Sequence, residues 1–287
     1  MNGVNLPAPP IPIDRELMFL LDKIKRNRNI DFSQYQTHTL KNRIQNRLHV
    51  TNCHSYWDYI LLLNKEPEEY DLLINSLTIK VSSFFRNTKT FELLRNSVIP
   101  EIISYKQAQG CKRICAWSCG AALGQEAYSM AILFCEALAN HLNDYDLNIL
   151  ATDIDQQTLK KAPWVAYDKK ALSDIKPYLL FKYFTRTGES YAVSDRLRSM
   201  ITFKCHDVTS NNQRSGMDLI LCRNLLIYFQ KGLQERVLNN LYAALNPHGF
   251  LVLGKAESLA SSLNGLLEVV DVGERVFQKG GGYFPSP

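Results

Sequence analysis

Apolar positions follow two rhythms along the chain, and the change of rhythm divides it. From Arg15 to about Leu77 they recur at helical spacing (Leu17, Leu20, Leu21, Ile24; Trp57, Ile60, Leu61; Leu72, Leu73, Leu77), interrupted by Asn, Ser and Pro. This predicts a small all-helical domain over residues 15–80, without internal repeats. From Arg113 onward, short apolar runs alternate with helical patterns. Segments 113–118, 147–152, 201–205, 217–222 and 249–254 read as buried strands, and helices are expected near 125–139, 155–162 and 230–245. Alternation of this kind predicts an α/β class domain over residues 113–279, a parallel sheet covered on both faces, with a hairpin at Glu268–Gln278 adding antiparallel strands. The stretch from Pro177 is longer than a crossover helix. Its alternating Tyr191-Ala-Val193 and its turn at Thr187-Gly188-Glu189 predict an inserted antiparallel element over about 177–200.

Composition narrows the class. The chain has 287 residues, 46% hydrophobic and 21% charged, enough apolar surface for a folded core and too much for a disordered regulator. No run of apolar residues is long enough to span a membrane, and Asp14, Arg15 and Glu16 stand where a signal peptide would be apolar, so a cytoplasmic protein is expected. The proline-rich lead-in over 1–14 and the glycine-rich tail over 280–287 are expected to carry no chemistry. Seven cysteines without a Cys-x-x-Cys pair read as reduced thiols, and no metal site is expected.

The net charge of +5 is small, but it is concentrated. Between Lys23 and Arg47 lie Lys23, Lys25, Arg26, Arg28, Lys41, Arg43 and Arg47 against the single acid Asp31, an excess of six positive charges. Leu40, Ile44 and Leu48 form a helical stripe, with Arg43 and Arg47 on one flank and Lys41 on the other. These cations form either a solvated face or a docking surface for an acidic partner.

In a doubly wound sheet the ligand site lies at the carboxyl ends of the strands. After the first strand comes Ser118-Cys-Gly120-Ala-Ala-Leu-Gly124-Gln-Glu126, whose small residues allow a ligand close to the backbone. After the second come Asp153 and Asp155, placed either to accept bonds from ribose hydroxyls or to cap the next helix. After the fourth comes Cys222-Arg223-Asn224-Leu-Leu-Ile-Tyr228-Phe.

Five stretches, Ser82-Ser-Phe-Phe-Arg86, Trp117 through Ser129, Ala151 through Asp155, Cys222 through Phe229 and Leu245 through Gly254, together resemble one family. It is the CheR type of S-adenosylmethionine-dependent methyltransferase, which esterifies glutamate side chains on bacterial chemotaxis receptors. The resemblance covers nearly the whole chain. It implies a helical N-terminal domain, a linker motif and helix over 81–112, and a class I (Rossmann-like) methyltransferase domain with an inserted β subdomain. It also implies that the cofactor meets Lys80, Ser82, Arg86, Glu126, Asp153, Asp207, Val208, Arg223 and Asn224, and that Arg86 and Tyr228 stand near the transferring methyl. Tyr228 at helical spacing also fits a core aromatic. By the same resemblance Lys41, Arg43 and Arg47 would face the substrate, the cytoplasmic signalling domain of a receptor, with the enzyme a monomer. The family usually has asparagine where this chain has Lys80, and Gly-Glu-Glu-Pro-Tyr where this chain has Gly124-Gln125-Glu126-Ala127-Tyr128. The inserted turn is shorter than in members that dock on a receptor C-terminal peptide, which points to a member that does not need the peptide. Two other classes fit parts of the sequence: a nucleic-acid methyltransferase, which would use the basic stretch but lacks an Asn/Asp-Pro-Pro-aromatic motif, and a non-catalytic S-adenosylmethionine-binding scaffold.

Overall fold

The computed structural model describes residues 15–78, 80, 82–210 and 214–280; the lead-in over 1–14 and the tail beyond Gly280 lie outside the described residues. The chain divides into two compact units between Leu77 and Thr78.

The first unit is helical: α1 (Arg15–Arg28), α2 (Thr37–Val50), α3 (Tyr56–Lys65) and α4 (Glu69–Leu77). Its core takes Leu17, Leu20, Leu21 and Ile24 from α1, as their spacing predicts, and Leu40 and Ile44 from α2. On α3 the buried face is Tyr59, Ile60 and Leu63, whereas Trp57 and Leu61 are exposed, as is Leu72 on α4. The sequence pattern misplaced the α3 face because Tyr59 is aromatic, carries a polar tip, and goes inside with that tip bonded.

The second unit begins with α5 (Thr88–Leu93) and α6 (Ile99–Ala108), joined through one wide turn at Leu94–Val98. Then follow β1 (Arg113–Cys119), α7 (Gln125–Leu138), β2 (Asp146–Asp153) and α8 (Gln156–Lys161). The insertion holds β3 (Ala166–Tyr167), α9 (Pro177–Tyr183), β4 (Phe184–Thr187) and β5 (Ser190–Val193). The chain ends with α10 (Asp195–Ser199), β6 (Ile201–Cys205), β7 (Met217–Cys222), α11 (Lys231–Ala244), β8 (Leu245–Leu253), β9 (Leu267–Asp271) and β10 (Val276–Lys279).

The seven-stranded sheet runs β6-β2-β1-β7-β8-β10-β9. Its first five strands are parallel and the last two antiparallel, so the expected hairpin is present. From β1 the chain moves outward to β2 and β6, then returns to lay β7 on the other side of β1. That reversal opens a crevice at the carboxyl ends of β1 and β7, where ligands bind in folds of this kind. α7 lies against the sheet with nearly every side chain buried. It starts after Gly124, which has φ +91° and where a Cβ would stand 2.9 Å from the Phe203 ring. Only glycine meets both conditions without displacing Phe203.

The inserted sheet is larger than its sequence suggests. β4 and β5 form the hairpin around Gly188, but β3 adds a third strand on the other side of β5. The insertion therefore begins near residue 166 and not near 177. Two residues are too short a strand to show alternation, so β3 left no periodic signal.

Candidate cofactor and methyl-transfer site

The strand-end loops enclose a pocket of about 300 Å³ lined by Ser82, Ser83, Arg86, Gly120, Ala122, Glu126, Arg223, Asn224, Ile227 and Tyr228. Six residues predicted from sequence thus meet in one cavity. The two phenylalanines of the linker motif anchor its polar ends. Phe84 is fully buried and packs edge-on against Tyr167 and Phe184 of the insertion, while Phe85 meets Phe91 of α5 edge-on. The Phe85 N–H donates to Ser129 Oγ at 3.0 Å, tying the motif to α7.

Glu126 and Arg223 form the charged floor. Arg223 Nη1 donates to Glu126 Oε2 at 3.1 Å, and Ser118 Oγ donates to Glu126 Oε1 at 2.8 Å. Arg223 Nη2 donates to the Arg86 carbonyl and to Asn87 Oδ1, both at 2.8 Å, and the guanidinium lies over the Phe91 ring. The Arg223 side chain is only 1% exposed, so its rotamer is fixed by these partners and its charge is compensated by Glu126. Tyr228 is half-buried and lines the pocket, whereas its neighbour Phe229 is fully buried, which makes Phe229 the core aromatic of that turn.

Asp153 ends β2 beside the pocket wall. Its Oδ2 accepts from the N–H of Ala122, a lining residue, and its Oδ1 from the N–H of Asp155, both at 3.0 Å. Burial raises the Asp153 pKa, against those two donors. Asp155 is the helix cap: Oδ1 accepts from the N–H of Gln157 and Thr158, and Oδ2 from Thr158 Oγ1. The helix-capping reading of this acid pair thus applies to Asp155 and not to Asp153, whose carboxylate bonds the backbone of Ala122 and Asp155. Lys80 is held against Asp155, its Nζ 2.6 Å from Oδ2. Asp207 and Val208 follow β6, with Asp207 accepting from Thr209 N–H and Oγ1 in a local turn, and the His206 N–H donates to the Asp153 carbonyl.

The basic flank of α2 needs a correction. Arg47 is bound to Glu69 by Nη2 to both carboxylate oxygens at 2.7 Å and by Nε to Oε1 at 3.0 Å, and Tyr59 O–H donates to the same carboxylate. Glu69 is 5% exposed, so Arg47 neutralises a buried charge and is not presented as a docking cation. Arg43 Nη1 donates to the Ser76 carbonyl at 2.7 Å. The rest of the basic run is also partnered within its unit: Lys25 with Asp31, Arg26 with Asp22, Arg28 with Asp71 and Lys23 with Asn64.

The model of the CheR methyltransferase SAM-binding domain matches residues 80–276, and that of the CheR methyltransferase all-alpha domain matches residues 15–78. The chain belongs to the CheR methyltransferase family. Among relatives of this CheR chain, the chemotaxis protein methyltransferase 2 of Pseudomonas aeruginosa is 30% identical over 243 residues, 83% of this chain and 84% of that protein. The chemotaxis protein methyltransferase of Listeria monocytogenes is 27% identical over 247 residues, 86% of this chain and 91% of its own length. An uncharacterized 104.1 kDa protein in the hypE 3' region of Rhodobacter capsulatus is 31% identical over 230 residues, 80% of this chain, which spans only 24% of that longer protein.

This CheR chain is thus an S-adenosylmethionine-dependent methyltransferase, and the pocket fits that cofactor. The methionine end of the cofactor carries an ammonium and a carboxylate, and the pocket offers the Glu126 carboxylate with the Arg86 and Arg223 guanidinium groups. Arg223 Nε is buried with no hydrogen-bond partner among the described residues. Sequence reasoning passed over Ser118, Asn87, Phe91 and Ser129, which hold the charged pair and the linker motif in place. Ser118 and Ser129 lay inside the quoted motifs, but nothing in their spacing distinguishes a bonded serine from a solvated one.

Proposed function

We propose that the protein methylates glutamate side-chain carboxylates on the cytoplasmic signalling domain of bacterial chemotaxis receptors, as a protein-glutamate O-methyltransferase. The supporting observation is the meeting of Arg86, the Glu126–Arg223 pair and Tyr228 in one pocket. The names of the P. aeruginosa and L. monocytogenes relatives place those proteins in chemotaxis and favour the same setting here. On this reading Ser82, Arg86, Glu126, Arg223 and Asn224 hold the methionine end of the cofactor, Asp153 accepts from its ribose, and Asp207 and Val208 meet its adenine.

S-adenosylmethionine supplies an activated methyl on a sulfonium. A glutamate side chain is already ionised at pH 7, so this chain needs no general base, only groups that hold the carboxylate in line. Orientation of this kind can remove roughly 7 to 11 kcal/mol of barrier. Arg86 orients the incoming carboxylate, and Tyr228 bounds the channel and keeps water from it. Lys41 and Arg43 remain the candidates for steering the receptor, Arg47 being committed to Glu69.

The test is transfer of a labelled methyl group to receptor cytoplasmic fragments, with base-labile release of methanol marking a carboxyl ester. Label on nucleic acid instead, with salt-dependent yield, would replace this reading by the nucleic-acid one. Cofactor binding without transfer to either substrate would leave a binding scaffold.

A further inference from the structure

Glu257 lies between β8 and β9, outside every lining position of the pocket, and is 3% exposed. Its carboxylate accepts four backbone N–H groups. Oε1 takes those of Leu225 at 2.8 Å and Leu226 at 2.7 Å, and Oε2 takes those of Asn224 at 3.1 Å and Gly254 at 2.6 Å. Three of the four belong to consecutive residues of the loop after β7, between Arg223 and Tyr228. That loop is neither strand nor regular helix until Leu226, so its N–H groups have no ladder to join. Asn224 also sits at φ +58°, a left-handed conformation that asparagine enters more readily than other non-glycine residues.

The approach is close enough to dictate a neighbour. A Cβ at Gly254 would stand 2.6 Å from Glu257 Oε2 and 2.8 Å from the Asn224 nitrogen, so residue 254 has to be glycine for the carboxylate to reach the loop. The Glu257 N–H closes the turn on the Gly254 carbonyl at 2.9 Å. The loop after β7 is thereby tied to the turn after β8 by one side chain.

We infer that Glu257 is a positioning residue for cofactor binding: its carboxylate fixes the loop that aims Arg223, Asn224 and Tyr228 into the pocket. This rests on the reading of that pocket as the S-adenosylmethionine site. A carboxylate is suited to the task because both oxygens accept, and four N–H donors converge on it. An amide of the same shape would turn its N–H₂ toward two of the four N–H groups and lose both bonds. Aspartate is one methylene short of the loop.

The experiment compares the wild type, Glu257→Gln and Glu136→Gln by calorimetry with S-adenosylhomocysteine and by hydrogen exchange resolved to single amides. Glu136 is a bonded carboxylate of the same unit, accepting from Lys182 and Tyr183, and serves as the comparison. In wild type the amides of residues 224–226 should be protected although they precede any regular element. Glu257→Gln should lose that protection while the strands keep theirs, and its dissociation constant should rise roughly tenfold or more. Glu136→Gln should bind like wild type. Unprotected loop amides in the wild type would overturn the inference even if the glutamine variant failed to fold. So would wild-type affinity in a folded Glu257→Gln, or an equal loss in both variants. A wild type that does not bind S-adenosylhomocysteine at all would instead sink the assignment of the pocket.

Discussion

The Lys80 ammonium stands 2.6 Å from Oδ2 of Asp155, the same carboxylate that caps α8. The residue two positions before Ser82 of the linker motif is in this way pinned just past the end of β2, two positions beyond the ribose candidate Asp153. Burial works to raise the Asp155 pKa, but the bonds from Lys80 and Thr158 outweigh it and hold it below the ordinary value of about 3.9. A depressed carboxylate contributes its stability in full above the unfolded pKa and loses it as pH falls through the folded one. Lys80→Met should therefore lower the thermal midpoint at pH 7, with the gap to wild type closing below about pH 4. The loss should be about 1 to 3 kcal/mol, less than for a fully buried pair, because the Lys80 side chain keeps 23% exposure. Lys80→Asn should fall between, since it keeps a donor and loses the charge. Thermal melts at several pH values check this.

Asp153→Asn should weaken S-adenosylhomocysteine binding roughly ten- to a hundredfold, as a ribose loses a charged acceptor. The burial that raises its pKa predicts in addition that affinity of the wild type declines on acidification at a pH where an exposed aspartate would still be ionised. Calorimetry across pH 4 to 7 reads both effects; unchanged affinity in the folded variant would remove Asp153 from the site.

Tyr228→Phe should change turnover more than cofactor affinity and leave the thermal midpoint nearly unmoved, because Tyr228 lines the cavity and its neighbour Phe229 fills the core. A large drop in midpoint with normal turnover per folded molecule would make Tyr228 a packing residue.

Arg47→Ala should destabilise the helical unit by about 3 to 5 kcal/mol, since it leaves Glu69 buried and uncompensated. Arg47→Ala with Glu69→Leu should recover much of this. Lys41→Ala should raise the apparent KM for receptor fragments at low salt, if α2 steers the substrate. Chemical denaturation and salt-dependent kinetics separate the two cations.

Periodicity made the sheet and most helices legible, because β1, β7 and the second half of β8 carry buried apolar runs, β2 and β6 carry shorter ones, and α1 repeats strictly. The pocket was legible through its motifs, whose polar residues sit at strand ends. Charge was not. Seven basic residues against one acid looked more strongly charged than they are in space, because Asp22, Asp71 and Glu69, which pair with Arg26, Arg28 and Arg47, lie outside that window. A linear window counts neighbours in the chain, whereas ion pairs depend on neighbours in space. Glu257 escaped for a related reason: its partners are backbone amides, which every sequence has and no residue code records.

Nine non-glycine residues among those described adopt positive φ, and four of them, Phe85, Asn87, Ala122 and Asn224, belong to the segments that build the pocket. Phe85 and Ala122 each cost about 1 to 2 kcal/mol relative to an ordinary backbone, whereas asparagine enters this region more readily. The pocket is thus the least relaxed part of the second unit, held in shape by Ser129, Arg223 and Glu257. Selection for heat resistance alone would relieve the strain at Phe85 and Ala122 and drift toward looser linker motifs, and the survivors would be hardier proteins with slacker grip on their cofactor.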